Sequence, residues 1–148
     1  MTPLAFFVPG IPAAQGSMRG FVARNRRTGK PFASITHNSP RVRPWRLEVG
    51  WTAQEARLKA RAEIEEEGAV AVALVFILPR PKYLRKKATP PHTKKPDTDK
   101  LARGVLDALS GVLWRDDSQV ASLRARKRYA EPGEQAGVNV IVGDGVVG

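Results

Sequence analysis

Ten consecutive apolar residues in the middle of the chain constrain its fold more than any other segment. The run extends from Ala69 to Leu78 and is bounded by Gly68 and Pro79. It is too short to span a membrane. Its β-branched content favours a buried strand over a helix. The sequence therefore predicts a sheet with this segment as a central, buried strand.

Two helices and three further strands are expected around this strand. Helical composition extends from about Pro44 to Glu67, where Leu47, Trp51 and Leu58 form a partial apolar stripe. Apolar residues recur with helical spacing from Thr98 to Ser110, and Gly111 follows as a stop signal. Further strands are predicted for residues 4–8, 120–129 and 138–142.

The resulting order is β-loop-α-β-loop-α-β-β. It predicts an α+β fold in which a mixed β-sheet carries two main helices. The length suits one small domain over residues 1–148. We expect the three tryptophans, Trp45, Trp51 and Trp114, to lie in the core or at a dimer interface.

The composition indicates a polyanionic partner. The chain has 25 Lys and Arg against 14 Asp and Glu, a net charge of +11. It has no cysteine, which excludes a disulfide scaffold, a zinc ribbon and a thiol nucleophile. We expect no membrane partner and no small-molecule organic cofactor, and a location in the cytoplasm.

The basic residues are concentrated in two segments rich in Pro, Gly, Ser and Thr. The first basic segment covers about residues 10–43 and the second about 80–96. We predict a long loop or loose hairpin for the first and an irregular, exposed loop for the second. The predicted strand Val120–Tyr129 adds alternating arginines on one face, for which a merely solvated face is the alternative. The predicted DNA contacts are Arg19, Arg24, Arg26, Arg27, Lys30, Lys86, Lys87, Lys94, Lys95, Lys100, Arg124, Arg126 and Arg128.

The aspartates are segregated from the glutamates. All six aspartates lie at or after Asp97, and five of them fall within residues 97–117. The glutamates all lie outside that window. A merely solvated surface would mix the two acids, so the segregation indicates a dedicated site.

This aspartate cluster predicts a metal site. In extended backbone before the helix, Asp97 and Asp99 would point the same way, and Pro96 favours that conformation. Asp116 and Asp117 follow the helix, and the chain can fold back towards its start. Carboxylates without Cys or His select Mg²⁺ or Mn²⁺. Acidic ligands in a basic chain are typical of a site that cleaves phosphodiesters.

Simpler interpretations remain open at this point. Thr98 or Asp99 could cap the helix, and Asp99, Arg103 and Asp107 could form an exposed salt ladder. The segment Trp114–Ser118 could be a plain turn. Under these interpretations, the protein could be a non-catalytic nucleic-acid-binding module. A metal nuclease that acts on flaps or forks is a separate alternative, in which the metal site is retained.

Several motifs together resemble the signature of the RusA family of Holliday junction resolvases. They are Pro96–Asp99, Asp107–Leu109 and Asp116–Val120, and the segments Val8–Pro12 and Gln15–Ser17 resemble phage-encoded members. The resemblance implies a homodimeric, Mg²⁺-dependent endonuclease that acts on four-way DNA junctions in recombination and repair, with Mn²⁺ as a substitute metal. It also suggests a phage or prophage origin in a bacterial host cell.

The resemblance assigns roles to individual residues. The essential carboxylates of the family fall on Asp97, Asp99 and Asp117. Asp116 is adjacent and accessory. Arg103 stands where the family has a functional Lys and is expected to stabilise charge, because Arg does not easily release a proton. Lys100 stands where the family commonly has Asn. Two symmetric cuts with one site per chain favour a two-fold dimer.

Overall fold

A mixed four-stranded sheet and two helices form the core of the described chain. The computed structural model describes the backbone of residues 1–16, 19–36 and 40–145, and side chains within these ranges except at 19–23 and 32–36. The strands are β1 (Leu4–Pro9), β2 (Arg19–Arg24), β3 (Pro31–Thr36), β4 (Val70–Leu78), β5 (Val120–Tyr129) and β6 (Gly137–Asp144), and the helices are α1 (Val42–Lys59) and α2 (Thr98–Leu109).

The sheet is mixed, as predicted. Its order among the described residues is β1-β6-β4-β5, and β2 pairs with β3 in a separate hairpin. Strand β6 runs antiparallel to both β1 and β4, whereas β5 runs parallel to β4. The parallel pair requires a crossover, which the segment containing α2 provides. The predicted α+β class is therefore confirmed.

Strand β4 lies inside the sheet and supplies much of the core. Val70, Val72, Leu74 and Phe76 are at most 2% exposed. These alternating side chains share one face of the sheet, which α1 and α2 cover. Helix α1 packs against β1, and α2 packs against β5. Strand β5 is thus the strand against which any site on α2 is built.

Helix α1 differs from its prediction in length and in orientation. It ends at Lys59, well before the predicted Glu67, and Arg61 adopts a left-handed conformation with φ of 53°. Its buried face carries Trp45, Val49 and Ala53. The predicted stripe of leucines and tryptophan faces outward, with Trp51 74% exposed. In the part of the chain that the structure describes, no helix is long and apolar enough to span a bilayer.

The first basic segment contains a hairpin, where a long loop or loose hairpin was predicted. Strands β2 and β3 pair in register from Arg19–Thr36 to Arg24–Pro31. At the turn, the Oδ1 atom of Asn25 accepts hydrogen bonds from the backbone N–H groups of Arg27 and Thr28. Gly29 has a φ of +69°, which a residue without Cβ adopts at no steric cost.

The second basic segment is ordered by one arginine side chain. The guanidinium of Arg80 donates hydrogen bonds to the carbonyls of Leu84 (2.8 Å), Lys87 (2.6 Å) and Ala130 (3.2 Å), and to Oγ1 of Thr89 (2.7 Å). The prediction of an irregular, exposed loop therefore missed an organised turn. Arg80 is engaged in holding this loop to the end of β5.

Candidate active site

The first pair of predicted carboxylates lies at the start of α2. Asp97 is the N-cap residue in extended conformation, and its carbonyl accepts a hydrogen bond of 3.0 Å from the N–H of Leu101. Asp99 is already within the first helical turn. The prediction that Asp97 and Asp99 both lie in extended backbone is therefore wrong, because the helix begins between them. Both negative charges are favourable at a helix N-terminus. The Oδ2 atom of Asp97 lies 3.5 Å from Nζ of Lys100.

Asp116 has a structural role of its own. It caps a short 3₁₀ turn that extends from Asp117 to Gln119, and its Oδ1 accepts a hydrogen bond of 2.8 Å from the N–H of Ser118. The Oε1 atom of Gln119 accepts in return from the N–H of Asp116. The Ser118 N–H holds the pKa of the Asp116 carboxyl below its ordinary value. This reciprocal capping fixes the backbone on either side of Asp117.

Asp117 is held by a buried tryptophan. The Nε1 atom of Trp114 donates a hydrogen bond of 3.0 Å to Oδ1 of Asp117. Trp114 is fully buried. Its loop is in turn attached to the segment before β4, because Glu65 exchanges backbone hydrogen bonds with Leu113 and Arg115. The orientation of Asp117 is therefore set by the core.

One pocket collects several of the predicted site residues. It has a volume of about 530 Å³ and lies between α2 and β5. Asp99, Arg103 and Asp117 line it together, as does Asp107, which was not among the predicted site residues. The other two predicted metal ligands, Asp97 and Asp116, do not line this pocket. The full lining is Thr98, Asp99, Ala102, Arg103, Leu106, Asp107, Asp117, Leu123 and Ala125.

The donors at this pocket suit a hard divalent cation. Mg²⁺ usually takes one or two carboxylates and completes its coordination with water and phosphate oxygens. Asp99 and Asp117 offer such oxygens at one pocket. Among the described residues, however, no three His, Asp or Glu side chains converge closely enough to hold a metal ion together. The pocket thus fits a site of few protein ligands that is open to phosphate oxygens.

The predicted phosphate contacts of the two basic segments are largely exposed. Arg24, Arg26, Arg27 and Lys30 are exposed at the tip of the hairpin, and the side chain of Arg19 lies outside the described residues. In the second basic segment, the predicted contacts Lys86, Lys87, Lys94 and Lys95 are all exposed. Lys94 also lies over an exposed tyrosine ring.

That tyrosine is Tyr83. The Nζ atom of Lys94 lies 3.3 Å from its hydroxyl oxygen and 5.3 Å from its ring centroid. The hydrogen bond to Lys94 lowers the pKa of Tyr83 below its ordinary value. An aromatic surface next to a cation is a common feature of nucleic-acid contacts.

The three arginines of β5 are not equivalent. Arg124 and Arg126 are exposed, whereas Arg128 is half-buried. The guanidinium of Arg128 forms two parallel hydrogen bonds with the carboxylate of Glu134, of 2.6 and 2.8 Å. The charge of Arg128 is therefore offset by Glu134, whereas Arg124 and Arg126 are exposed.

Sequence reasoning missed one further basic residue, Lys127. Its ammonium group donates hydrogen bonds to the backbone carbonyls of Lys94 and Pro96, immediately before α2. The alternation of β5 placed the arginines on one face, and Lys127 belongs to the other. The sequence signal was its alternation with Leu123 and Ala125, which places a lysine on the apolar face of the predicted strand.

Comparisons with known proteins agree with these features. The family model described as endodeoxyribonuclease RusA matches residues 16–142. The chain is also 31% identical over 140 residues to the uncharacterized protein YqaN of Bacillus subtilis strain 168, a match that covers 88% of this chain and 91% of that protein. The family match includes the first basic segment from residue 16 onwards, the whole second basic segment, α2, the capped turn and β5.

Proposed function

The chain belongs to the RusA endodeoxyribonuclease family, and we propose that it is a metal-dependent endonuclease that resolves four-way DNA junctions by paired symmetric nicks. The nuclease activity follows from the family. The junction as substrate, Mg²⁺ as cofactor and a role in recombination and repair are parts of the proposal. Such a reaction takes place in the cytoplasm of a bacterial cell, which is the compartment we propose.

One observation carries the proposal: acidic groups line a pocket in an otherwise basic surface. Asp99 and Asp117 face the same pocket as Arg103. The exposed side chains of Arg124 and Arg126 alternate along β5 with pocket-lining residues. Basic side chains bind the DNA backbone without regard to sequence. Carboxylates repel phosphate, so their presence here is best explained by a cation.

The proposed mechanism assigns a task to each side chain. Asp99 and Asp117 would hold Mg²⁺, which would supply an activated water and charge stabilisation at phosphorus. Asp97, which lies outside the pocket lining, would add negative charge beside the site. Arg103 binds a phosphate oxygen and offsets the negative charge that develops during cleavage. It does not act as a base, because its guanidinium stays protonated. Trp114 holds Asp117 in one orientation throughout.

We further propose that two chains act together as a dimer with two-fold symmetry. A symmetric pair of nicks requires two active sites, and each chain supplies one. The outward face of α1 supports this assembly. There, Leu47 and the exposed Trp51 line a groove of about 780 Å³.

The charges in this groove also suit contact with a second copy. Arg43, Arg46 and Asp107 line it. An isologous contact places the same residues on both sides, so arginines of one chain can pair with the aspartate of the other. Asp107 lines the active-site pocket as well.

Cleavage assays on several substrates test the proposal. A four-way junction, a flap, a fork and a linear duplex are incubated with the protein at one fixed salt concentration, with and without Mg²⁺. We expect paired nicks in the junction only when Mg²⁺ is present. Preferred cleavage of flaps or forks would replace the junction as substrate. Binding without cleavage of any substrate would favour a non-catalytic module.

Variants locate the chemistry in the pocket. D99N and D117N are expected to abolish cleavage and to bind the junction at least as tightly, because each removes a negative charge that faces phosphate. E55Q is the matched control, since Glu55 is an exposed residue of α1 that pairs with Lys59. Cleavage by D117N at the wild-type rate would contradict the proposed site.

A further inference from the structure

Lys127 lies on the unexpected side of β5. Alternation along the strand puts it in one row with Leu123 and Ala125, which line the pocket with residues of α2. It is half-buried, whereas Arg124 and Arg126 on the opposite face are exposed. A lysine on the helix-covered side of a strand loses part of its hydration, so it requires partners there.

The partners of Lys127 are backbone carbonyls. Its Nζ donates to the carbonyl of Pro96 at 2.8 Å and to the carbonyl of Lys94. Both acceptors belong to the segment that leads directly to Asp97. Hydrogen bonds from a charged donor are stronger than those between neutral groups. One side chain therefore ties the start of α2 to β5.

Strand β5 also comes directly after Asp117 and its turn in the sequence. Asp117 lies in the 3₁₀ turn that ends where β5 begins. Asp97 follows Pro96, and its carbonyl accepts the first hydrogen bond of α2 from Leu101. The carboxylates at both ends of the site are therefore connected to the same strand, β5. Lys127 makes this connection for the side that carries Asp97 and Asp99.

We propose that Lys127 is a positioning residue, which fixes Asp97 and Asp99 relative to Asp117 through the carbonyls of Lys94 and Pro96. Its effect on cleavage rests on the proposed function, whereas its effect on the start of α2 does not. A direct DNA contact is a weaker interpretation. Two of its three N–H donors are engaged within the chain, and the side chain is half-buried.

Kinetic measurements separate positioning from DNA binding. K127M keeps the aliphatic stem and removes the donors. We expect its kcat on the junction to fall by about ten- to a hundredfold, because small misplacement of reacting groups has effects of this size. The Kd for the junction should stay at the wild-type value. K127R should recover part of the rate, since a guanidinium can donate to both carbonyls. R126M, on the exposed face, should instead raise the Kd.

Amide hydrogen exchange tests the same inference without any reaction. The Leu101 amide, which donates to the carbonyl of Asp97, reports on the first turn of α2. We expect faster exchange there in K127M and a return towards the wild-type rate in K127R. The Ala130 amide, which donates to the carbonyl of Leu78, is the internal control. K127L, which also lacks hydrogen-bond donors, replaces K127M if the methionine variant does not fold.

The outcomes are distinct. Unchanged Leu101 exchange in K127M overturns the inference, as does a raised Kd with unchanged kcat, which would make Lys127 a DNA contact. If the wild-type protein cleaves no branched DNA, the proposed function fails. The exchange measurement then still decides whether Lys127 fixes the start of α2.

Discussion

The indole nitrogen of Trp114 donates a hydrogen bond of 3.0 Å to Oδ1 of Asp117. A fully buried side chain thereby orients a half-buried carboxylate at the edge of the candidate active site. A tryptophan in this position contributes both apolar volume to the core and a polar group to the site. The two contributions can be separated by experiment.

W114F is predicted to reduce cleavage more than its effect on stability accounts for. It retains an aromatic ring but leaves Asp117 without its donor, and a hydrogen bond to a charged group contributes roughly 1.5–3 kcal/mol. Single-turnover cleavage of the junction at saturating protein measures the loss. Chemical denaturation gives the change in the free energy of unfolding.

W45F is the matched control for this variant. Trp45 is buried in α1, and its Nε1 has no hydrogen-bond partner among the described residues. The substitution thus removes the same volume and no hydrogen bond. We expect W45F to cleave at the wild-type rate. Equal losses in both variants would assign the effect to packing alone.

Salt dependence should distinguish the arginines of β5. Each phosphate contact that is lost reduces the slope of log K against log salt by about 1. R124A and R126A are expected to show this reduction, because both side chains are exposed. R128A should change the slope less, since its guanidinium is paired with Glu134. Binding isotherms over a series of salt concentrations provide the comparison, and equal slopes for all three variants would contradict it.

The ion pair of Arg128 and Glu134 predicts an acid-sensitive contribution to stability. The hydrogen bonds from Arg128 lower the pKa of Glu134 from its ordinary 4.5 to about 2. A carboxyl whose pKa is depressed in the folded state stabilises that state fully above pH 4.5. The contribution declines as the pH falls through 2. Such partly exposed pairs contribute about 1 kcal/mol or less.

E134Q provides the measurement. At neutral pH it should be less stable than the wild type, and the difference should disappear between pH 4.5 and pH 2. Denaturation midpoints at several pH values in this range follow the change. A difference that is constant down to pH 2 would show that the pair is not the cause.

The outward face of α1 predicts the oligomeric state. W51E places a charge in the apolar groove and is expected to shift a dimer towards monomer in sedimentation experiments. L58E is the control, because Leu58 is exposed on the same helix but does not line the groove. If both variants sediment as the wild type does, the interface lies elsewhere.

The sheet and α2 could be predicted because their signals are local. An uninterrupted apolar run such as Ala69–Leu78 is compatible with few structures, and β4 covers nearly all of it. The predicted bounds of β5 are those of the structure. The start of α2 at Thr98 was also predicted correctly, since a helical apolar pattern and its flanking residues agree there.

The orientation of α1 could not be predicted from its own residues. The helix carries two apolar stripes, one with Trp45 and Val49 and the other with Leu47 and Trp51. Which stripe is buried depends on β1 and α2, which pack against the helix and lie far from it in sequence. The predicted length of α1 was wrong because Glu65, which was assigned to the helix, pairs instead with the backbone of the Trp114 loop.

The composition of the site was predictable in part. The segregation of aspartates identified the correct region, and the pocket brings Asp99 together with Asp117. The position of Lys127 on the apolar face of β5 could be inferred from the alternation of the strand, but its partners could not, because they are backbone carbonyls more than thirty residues away. Such contacts depend on chain path rather than on residue type.

The contacts of Arg80 determine when the second basic segment loses its conformational freedom. Because one guanidinium already holds the turn to the end of β5, that freedom is lost as the protein folds and not when DNA arrives. If the lysines of this segment bind phosphates as proposed, they do so on a preformed scaffold, which leaves less entropy to oppose association. A single side chain that is occupied by contacts within the protein would thereby affect how tightly DNA is held.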